Sequence, residues 1–216
     1  MSRTQYTVAS ILAIIAILSA LFFCGAQAMR TLTTTQGMSL AQYVAFTGNM
    51  VLGLLLALSG YRKNPGPIIK QQIAVFGVWT ICGLGLITVF IYVGNFSWST
   101  MDTVIATSAA VGFTGTVAGA KIRKVSLKDP AVVALNAISL KSVPQFFLVW
   151  LILSEGGDGL TLTAIVAGFI SVTAKFIPIG MSLRKEGVNR DKKWLLIAEG
   201  INGISWIGVT IAWSVV

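Results

Sequence analysis

The sequence predicts an all-α membrane protein with seven spanning helices, and three observations carry that prediction. First, 55% of the 216 residues are hydrophobic and only 11% are charged, against about a quarter charged in an ordinary soluble domain. A chain this short cannot hide such a deficit in a core, because it still exposes much of its surface. Lipid in place of water accounts for it. Second, seven stretches reach the roughly 20 mostly apolar residues that a spanning helix needs. Third, the basic residues between those stretches alternate by side. Arg3, Arg62, Lys63, Lys70, Lys121, Arg123, Lys124, Lys128, Arg184, Lys185, Arg190, Lys192 and Lys193 fall on one side, and Arg30 alone falls on the other. Loops rich in Lys and Arg stay in the cytosol, so the N-terminus is expected inside and the C-terminus outside. The formal net charge of +9 is therefore a topology signal. It forms no continuous basic stripe with interleaved aromatics, which argues against a nucleic-acid partner.

The seven spans are expected at 6–29, 41–60, 71–93, 103–120, 131–153, 161–183 and 195–216. The first is longer than the apolar core of a signal peptide, about 7 to 15 residues, and further spans follow it. The fourth, rich in Ala, Gly and Thr, is the weakest. Small residues suit a helix packed closely between two bundles, and a re-entrant segment is the other reading. Asn95-Phe96-Ser97 is a formal glycosylation sequon and carries no weight so near the membrane.

Shifted by 122 residues, the first three spans match the last three. Gly37-Met38-Ser39-Leu40 meets Gly159-Leu160-Thr161-Leu162, Val44-Ala45 meets Val166-Ala167, Arg62-Lys63 meets Arg184-Lys185, and Lys70 meets Lys192. Upstream, Ala26-Gln27 meets Pro144-Gln145 with four extra residues in the second copy. Three helices per copy and one helix between copies make both copies enter the membrane in the same direction. The expected plan is a single transmembrane domain, arranged 3+1+3. It has a triple-helix bundle over 1–98, a linker helix over 99–130 and a second bundle over 131–216. Such parallel repeats place a solute site at their interface, near the bilayer midplane.

The segment Ser142-Val143-Pro144-Gln145, followed by Trp150, Ser154, Gly157 and Gly159-Leu160-Thr161-Leu162, resembles the PQ-loop signature. The whole plan is similar to the SWEET sugar transporters and the related nicotinamide riboside carriers. The first copy has Ala26 where the family has proline. The orientation predicted by the charges is more like that of the nicotinamide riboside carriers. The resemblance implies a solute carrier. It implies a substrate contact from Asn202 on the seventh helix, with Thr80 and the adjacent Trp79 at the matching place on the third. Proline in a helix removes a backbone hydrogen bond and kinks the chain, so Pro144 with Gln145 is a candidate hinge, a static kink being the alternative.

Ionisable residues inside a span are costly and are functional candidates by default. There are three: Lys141, Lys175 and Glu199. Lys141, a third of the way along its span, is expected to run its long stem to the interface. Lys175 lies deeper, three residues before Pro178. Glu199, Asn202 and Trp206 recur at helical spacing on one face. A Lys175–Glu199 pair would let both stay charged away from water, with Glu199 the candidate for proton coupling. Asn49 and Asn136 are further amides, for which an interhelical hydrogen bond is the simpler role.

No metal site or cofactor is expected: the chain has no His and only two Cys, Cys24 and Cys82, both in apolar runs. The seventh span has no lysine for a retinal Schiff base, no phosphate-binding loop occurs, and no nucleophile with a nearby base points to an enzyme. The function expected is alternating-access transport of a small polar solute (a sugar, a nucleoside or vitamin, or an organic or amino acid), with proton linkage open. The alternatives are a cation channel and a non-transporting scaffold or signalling protein. The partners expected are the solute and the bilayer of a cell membrane, inner or plasma, with homo-oligomer formation left open.

Overall fold

The computed structural model describes residues 3–92, 98–187 and 189–216, so the sequon at 95–97 lies outside the described residues, as do the side chains of Arg3, Pro178, Arg184 and Lys185. The described residues form helices and connecting turns, with no strand among them. The helices are α1 (Arg3–Thr31), α2 (Leu40–Lys63), α3 (Pro67–Tyr92), α4 (Thr100–Ile122), α5 (Pro130–Glu155), α6 (Leu162–Glu186) and α7 (Arg190–Val215). Seven are long and apolar enough to cross a membrane, which makes the chain a multi-pass membrane protein. Large apolar side chains stand exposed along their outer faces, among them Phe22, Ile81, Ile91, Val111, Trp150 and Ile204. In water that surface would be untenable for a monomer. The fourth segment is a continuous helix over Thr100–Ile122, long and apolar enough to span.

Most helices run beyond the expected apolar runs because polar residues cap them. The Ser39, Thr161 and Asn189 side chains accept from the backbone N–H of Gln42, Ala164 and Lys192. Ser99 and Asp102 form a capping box, and Asp129 caps α5 just before Pro130. Each such cap is worth about 1 kcal/mol.

The helices pack in a definite order. α3 lies between α1 and α2, and α7 lies between α5 and α6. α1 meets α6, α2 meets α5, and α4 packs against α2 and α5. The α4 contact is close because of its small residues: a Cβ on Gly112 would lie 2.6 Å from Ser139 Oγ.

Contacts at the two ends fix the up-and-down course. Lys128 bonds Ser59, Arg190 pairs with Asp129 at 3.4 Å, and Gln71 donates to Ser10 at the end that carries the basic loops, called here the basic end. At the opposite end the buried Asp102 carboxylate accepts from Ser39 Oγ at 2.6 Å and from the Ala41 N–H at 3.2 Å. It thereby ties the start of α4 to the start of α2.

Candidate functional site

α5 is not a continuous α-helix. Ile138–Ser142 form a π-helical turn, in which Val143 N–H reaches back to Ile138 C=O. The cause lies two residues past it. Pro144 has no N–H, and its ring would strike the carbonyl four residues earlier. A wider turn relieves that crowding, and such turns are frequent at functional positions. The turn carries Lys141 and Ser142, both buried. Val143, Pro144 and Gln145 follow, and Gln145 Oε1 accepts from Ser205 Oγ on α7 at 2.7 Å.

Lys141 therefore points inward. Its stem does not run to the interface, as the sequence alone had led one to expect. The side chain is 5% exposed, and Nζ lies 3.3 Å from both oxygens of Glu199 on α7. The reason is the carboxylate: a lysine can stay charged inside the bundle where an anion offsets part of the cost of leaving water. Lys175 on α6 approaches the same carboxylate from another side, at 3.8 Å, and is 29% exposed. Asn202, one turn along α7, donates Nδ2 to Glu199 Oε2 at 3.3 Å. The cluster holds two cations and one anion, a net charge of +1.

Above this cluster is a small chamber at the meeting of the two halves, lined by Lys141, Gln145, Lys175, Asn202 and Trp206 from α5–α7 and by Phe23, Gln42, Tyr43, Phe46 and Trp79 from α1–α3. Its aromatic wall is continuous. Trp79 lies 5.8 Å from Phe23 and 5.3 Å from Phe46 between ring centroids, and Trp206 lies 6.1 Å from Phe23. Two buried amide oxygens on the chamber, Gln42 Oε1 and Asn202 Oδ1, have no hydrogen-bond donor among the described residues.

Below the cluster a cleft of about 400 Å³ runs toward the basic end, where Ala9, Ile68, Gln71 and Leu195 line it. Lys141 and Lys175 line both spaces, and Glu199 and Asn49 line the cleft. At the opposite end the chamber is roofed over. Gln27, wholly buried, donates to the Tyr43 hydroxyl at 3.0 Å and to Gly159 C=O at 3.2 Å. It accepts from Thr161 N–H and Oγ1 at 3.0 and 3.1 Å. Around it, Gly159 N–H bonds Gln36 C=O at 2.9 Å, Arg30 Nε donates to Asp158 C=O, and Gln36 bonds Glu155 C=O.

Of the residues singled out from the sequence, Lys175, Asn202, Trp206, Trp79 and Gln145 share the chamber, and Glu199 stands at its mouth. Asn49 faces the cleft instead. Thr80 is buried beside Trp79 but does not line the chamber, and its hydroxyl oxygen has no partner among the described residues. The residues that sequence reasoning missed are Gln42, Tyr43, Phe23, Phe46 and Gln27. Gln42 and Tyr43 fall within the first turn after a cap, where a polar residue reads as an interfacial one. No protein-family profile, curated protein or solved structure matches the chain, so the chemistry of this site rests on its own geometry.

Proposed function

We propose that the chain is an alternating-access carrier of a small polar solute, built from two parallel three-helix repeats joined by α4 in the SWEET/PQ-loop manner. The observation that carries the reading is the chamber itself. It sets charged and amide groups against an aromatic wall, lies where the two halves meet, opens through a cleft toward one end, and is roofed at the other. That is what a carrier requires at rest on one side of its cycle. Positive-inside topology would make the open side the cytosol.

Several features support the repeat. The third helix lies between the first and second in both halves, and the cross-contacts α1 with α6 and α5 with α2 exchange under a twofold operation. Ser39 and Thr161, 122 residues apart, are both N-caps. Two pairs of chamber residues share that spacing: Phe46 with Gly168, and Met50 with Val172.

In the cycle, the roof around Gln27 would part as the basic end closes over the cluster. The roof is assembled from a few mostly uncharged hydrogen bonds, each worth on average about 0.6 kcal/mol between helices in a membrane. A gap of that order is within what differential binding of a solute can tip. The π-turn before Pro144 would be the place where α5 bends. Glu199, the single carboxylate lining the chamber or cleft among the described residues, would be the proton site if transport is coupled. A cation channel fits less well, since a roofed chamber with net charge +1 obstructs cations.

The test is uptake and counterflow in proteoliposomes across a panel of radiolabelled solutes, beside planar-bilayer recording. Saturable counterflow with no unitary current is expected. Unitary currents, or no flux of any solute from a folded sample, would overturn the proposal. A C-terminal reporter active only outside the cytosol checks the orientation.

A further inference from the structure

From the cluster and two amide oxygens that lack a donor among the described residues, we infer that the junction of cleft and chamber binds a small organic monoanion, a carboxylate that also carries a hydroxyl or amine hydrogen. The chamber alone, about 30 Å³, admits little more than a water-sized group, so the body of the ligand lies in the cleft of about 400 Å³ and only its hydrogen-bonding tip enters the chamber. The inference rests on the carrier reading for its biological sense, but it concerns binding and can be tested separately.

Four features of the site select this class. The first is charge. Lys141, Lys175 and Glu199 sum to +1 within one cluster, and one negative charge on the ligand would neutralise it. The lysines are not equivalent. Lys141 is buried and equidistant from both oxygens of Glu199, whereas Lys175 keeps only the 3.8 Å contact and remains partly open to the space where cleft and chamber join. Lys175 is the cation with capacity to spare, and an ammonium with three donors accepts a carboxylate there.

The second feature is the direction of the amides. Asn202 uses its Nδ2 on Glu199, which leaves Oδ1 as the acceptor, and Oδ1 is buried without a donor among the described residues. Gln42 Oε1, across the chamber on α2, is in the same condition. Burying an acceptor unmet costs of order 1–3 kcal/mol. A ligand that donates O–H or N–H to either oxygen recovers that loss, and a ligand with acceptors alone does not. The third is the wall of Phe23, Phe46, Trp79 and Trp206, whose rings pack tilted or edge-on against one another and leave an apolar end to the chamber that favours a ligand tip with a single polar group. The fourth is the cleft, whose remaining lining is mainly Ala, Leu, Ile and Val. It lets the ligand enter with an apolar edge, and it makes a highly hydroxylated neutral sugar a poor match.

The experiment measures binding of 4-hydroxybenzoate, benzoate, 4-hydroxybenzyl alcohol and glucose to the full-length protein in nanodiscs by calorimetry. 4-Hydroxybenzoate is expected to bind best, benzoate about tenfold more weakly for want of one donated hydrogen bond, and the two neutral compounds not measurably. Lys175→Met should abolish carboxylate binding. Asn202→Leu with Gln42→Leu should bring 4-hydroxybenzoate and benzoate to equal affinity, a readout that a merely structural role would not produce. Because the ligand series is run on the unaltered chain, the inference stays testable if a variant does not fold. Equal binding of benzoate and 4-hydroxybenzoate by the unaltered protein would overturn the donor requirement. Binding of glucose or the alcohol in place of the acids would overturn the anion class and leave the carrier reading standing. Binding of the acids without any counterflow would uphold the inference and sink the carrier reading.

Discussion

The two ends of the bundle are closed and opened by different chemistry. At the roofed end the halves meet mostly through neutral groups and main chain, Gln27 with Gly159 and Thr161 and Gly159 with Gln36, beside one charged donor, Arg30 to Asp158 C=O. Toward the basic end they part around the cleft, and what holds α5, α6 and α7 together there is charge, Lys141 and Lys175 on Glu199. The difference teaches where reversibility can reside. Neutral bonds can be exchanged for water one at a time at small cost. The charge cluster cannot lose its one carboxylate without leaving two lysines stranded. The roof is thus suited to be the moving part, and the cluster the fixed part that a ligand addresses.

The largest effect expected at either end is therefore that of Glu199→Gln. It leaves Lys141 and Lys175 close together with no anion among the cluster's described residues. Breaking a buried pair from one side costs about 3–5 kcal/mol. A thermal melt in detergent should show a large loss, and Lys141→Met should partly restore stability in the double variant. A Glu199→Gln protein as stable as the parent would mean that the cluster is solvated and does not fix the basic end.

Next comes a pair of glycines with nearly the same backbone angle in different surroundings. Gly37 at the roof has φ +68°, and a Cβ there would fall 1.9 Å from Gly156 O. Gly187 at the basic end has φ +72°, and a Cβ there would meet nothing within 4 Å. Gly→Ala costs roughly 1–2 kcal/mol at either position for the left-handed conformation. At Gly37 overpacking adds about 1–3 kcal/mol more. Melting curves of the two variants should differ by that extra amount. Equal losses would show that the loops at the roof are not in tight contact.

How much of this was legible in the sequence follows from the range of each signal. Apolar length is local, and it located all seven helices. Their ends were misjudged by a few residues because caps such as Ser99 with Asp102 extend a helix past its apolar run. Asp102 was passed over as a loop residue although Ser-x-x-Asp is a capping signature. Lys141 was misplaced because its depth was visible and its partner was not: Glu199 is 58 residues away and on another helix. Lys175, Glu199, Asn202 and Trp206 stood out because charge and helical spacing inside a span are unusual. Phe23, Phe46 and Tyr43 had no such mark, since an aromatic facing a chamber and one facing lipid look alike in a sequence.

A third test addresses the roof directly. Gln27→Leu removes four hydrogen bonds, which at about 0.6 kcal/mol each lowers stability by about 2 kcal/mol. A cysteine placed at Phe46, with Cys24 and Cys82 replaced by Ala, should then react faster with an impermeant thiol reagent added from the roofed side. No gain in reactivity would place the barrier elsewhere than Gln27.

The smallest effect separates lining a space from holding the bundle. Asn49 lies on the cleft, apart from the cluster that fixes the basic end and from the bonds that close the roof. If its amide serves only an interhelical contact, Asn49→Ala costs about 0.6 kcal/mol, the average for such bonds in membranes, and changes neither ligand affinity nor thiol reactivity at position 46. If the cleft is the path by which solute reaches Lys175, the same variant leaves equilibrium affinity intact but alters the association rate, which stopped-flow Trp fluorescence would read. A change in affinity as large as that of Asn202→Leu would mean that the binding site extends into the cleft, and that the boundary drawn between the two spaces at Lys141 and Lys175 is misplaced.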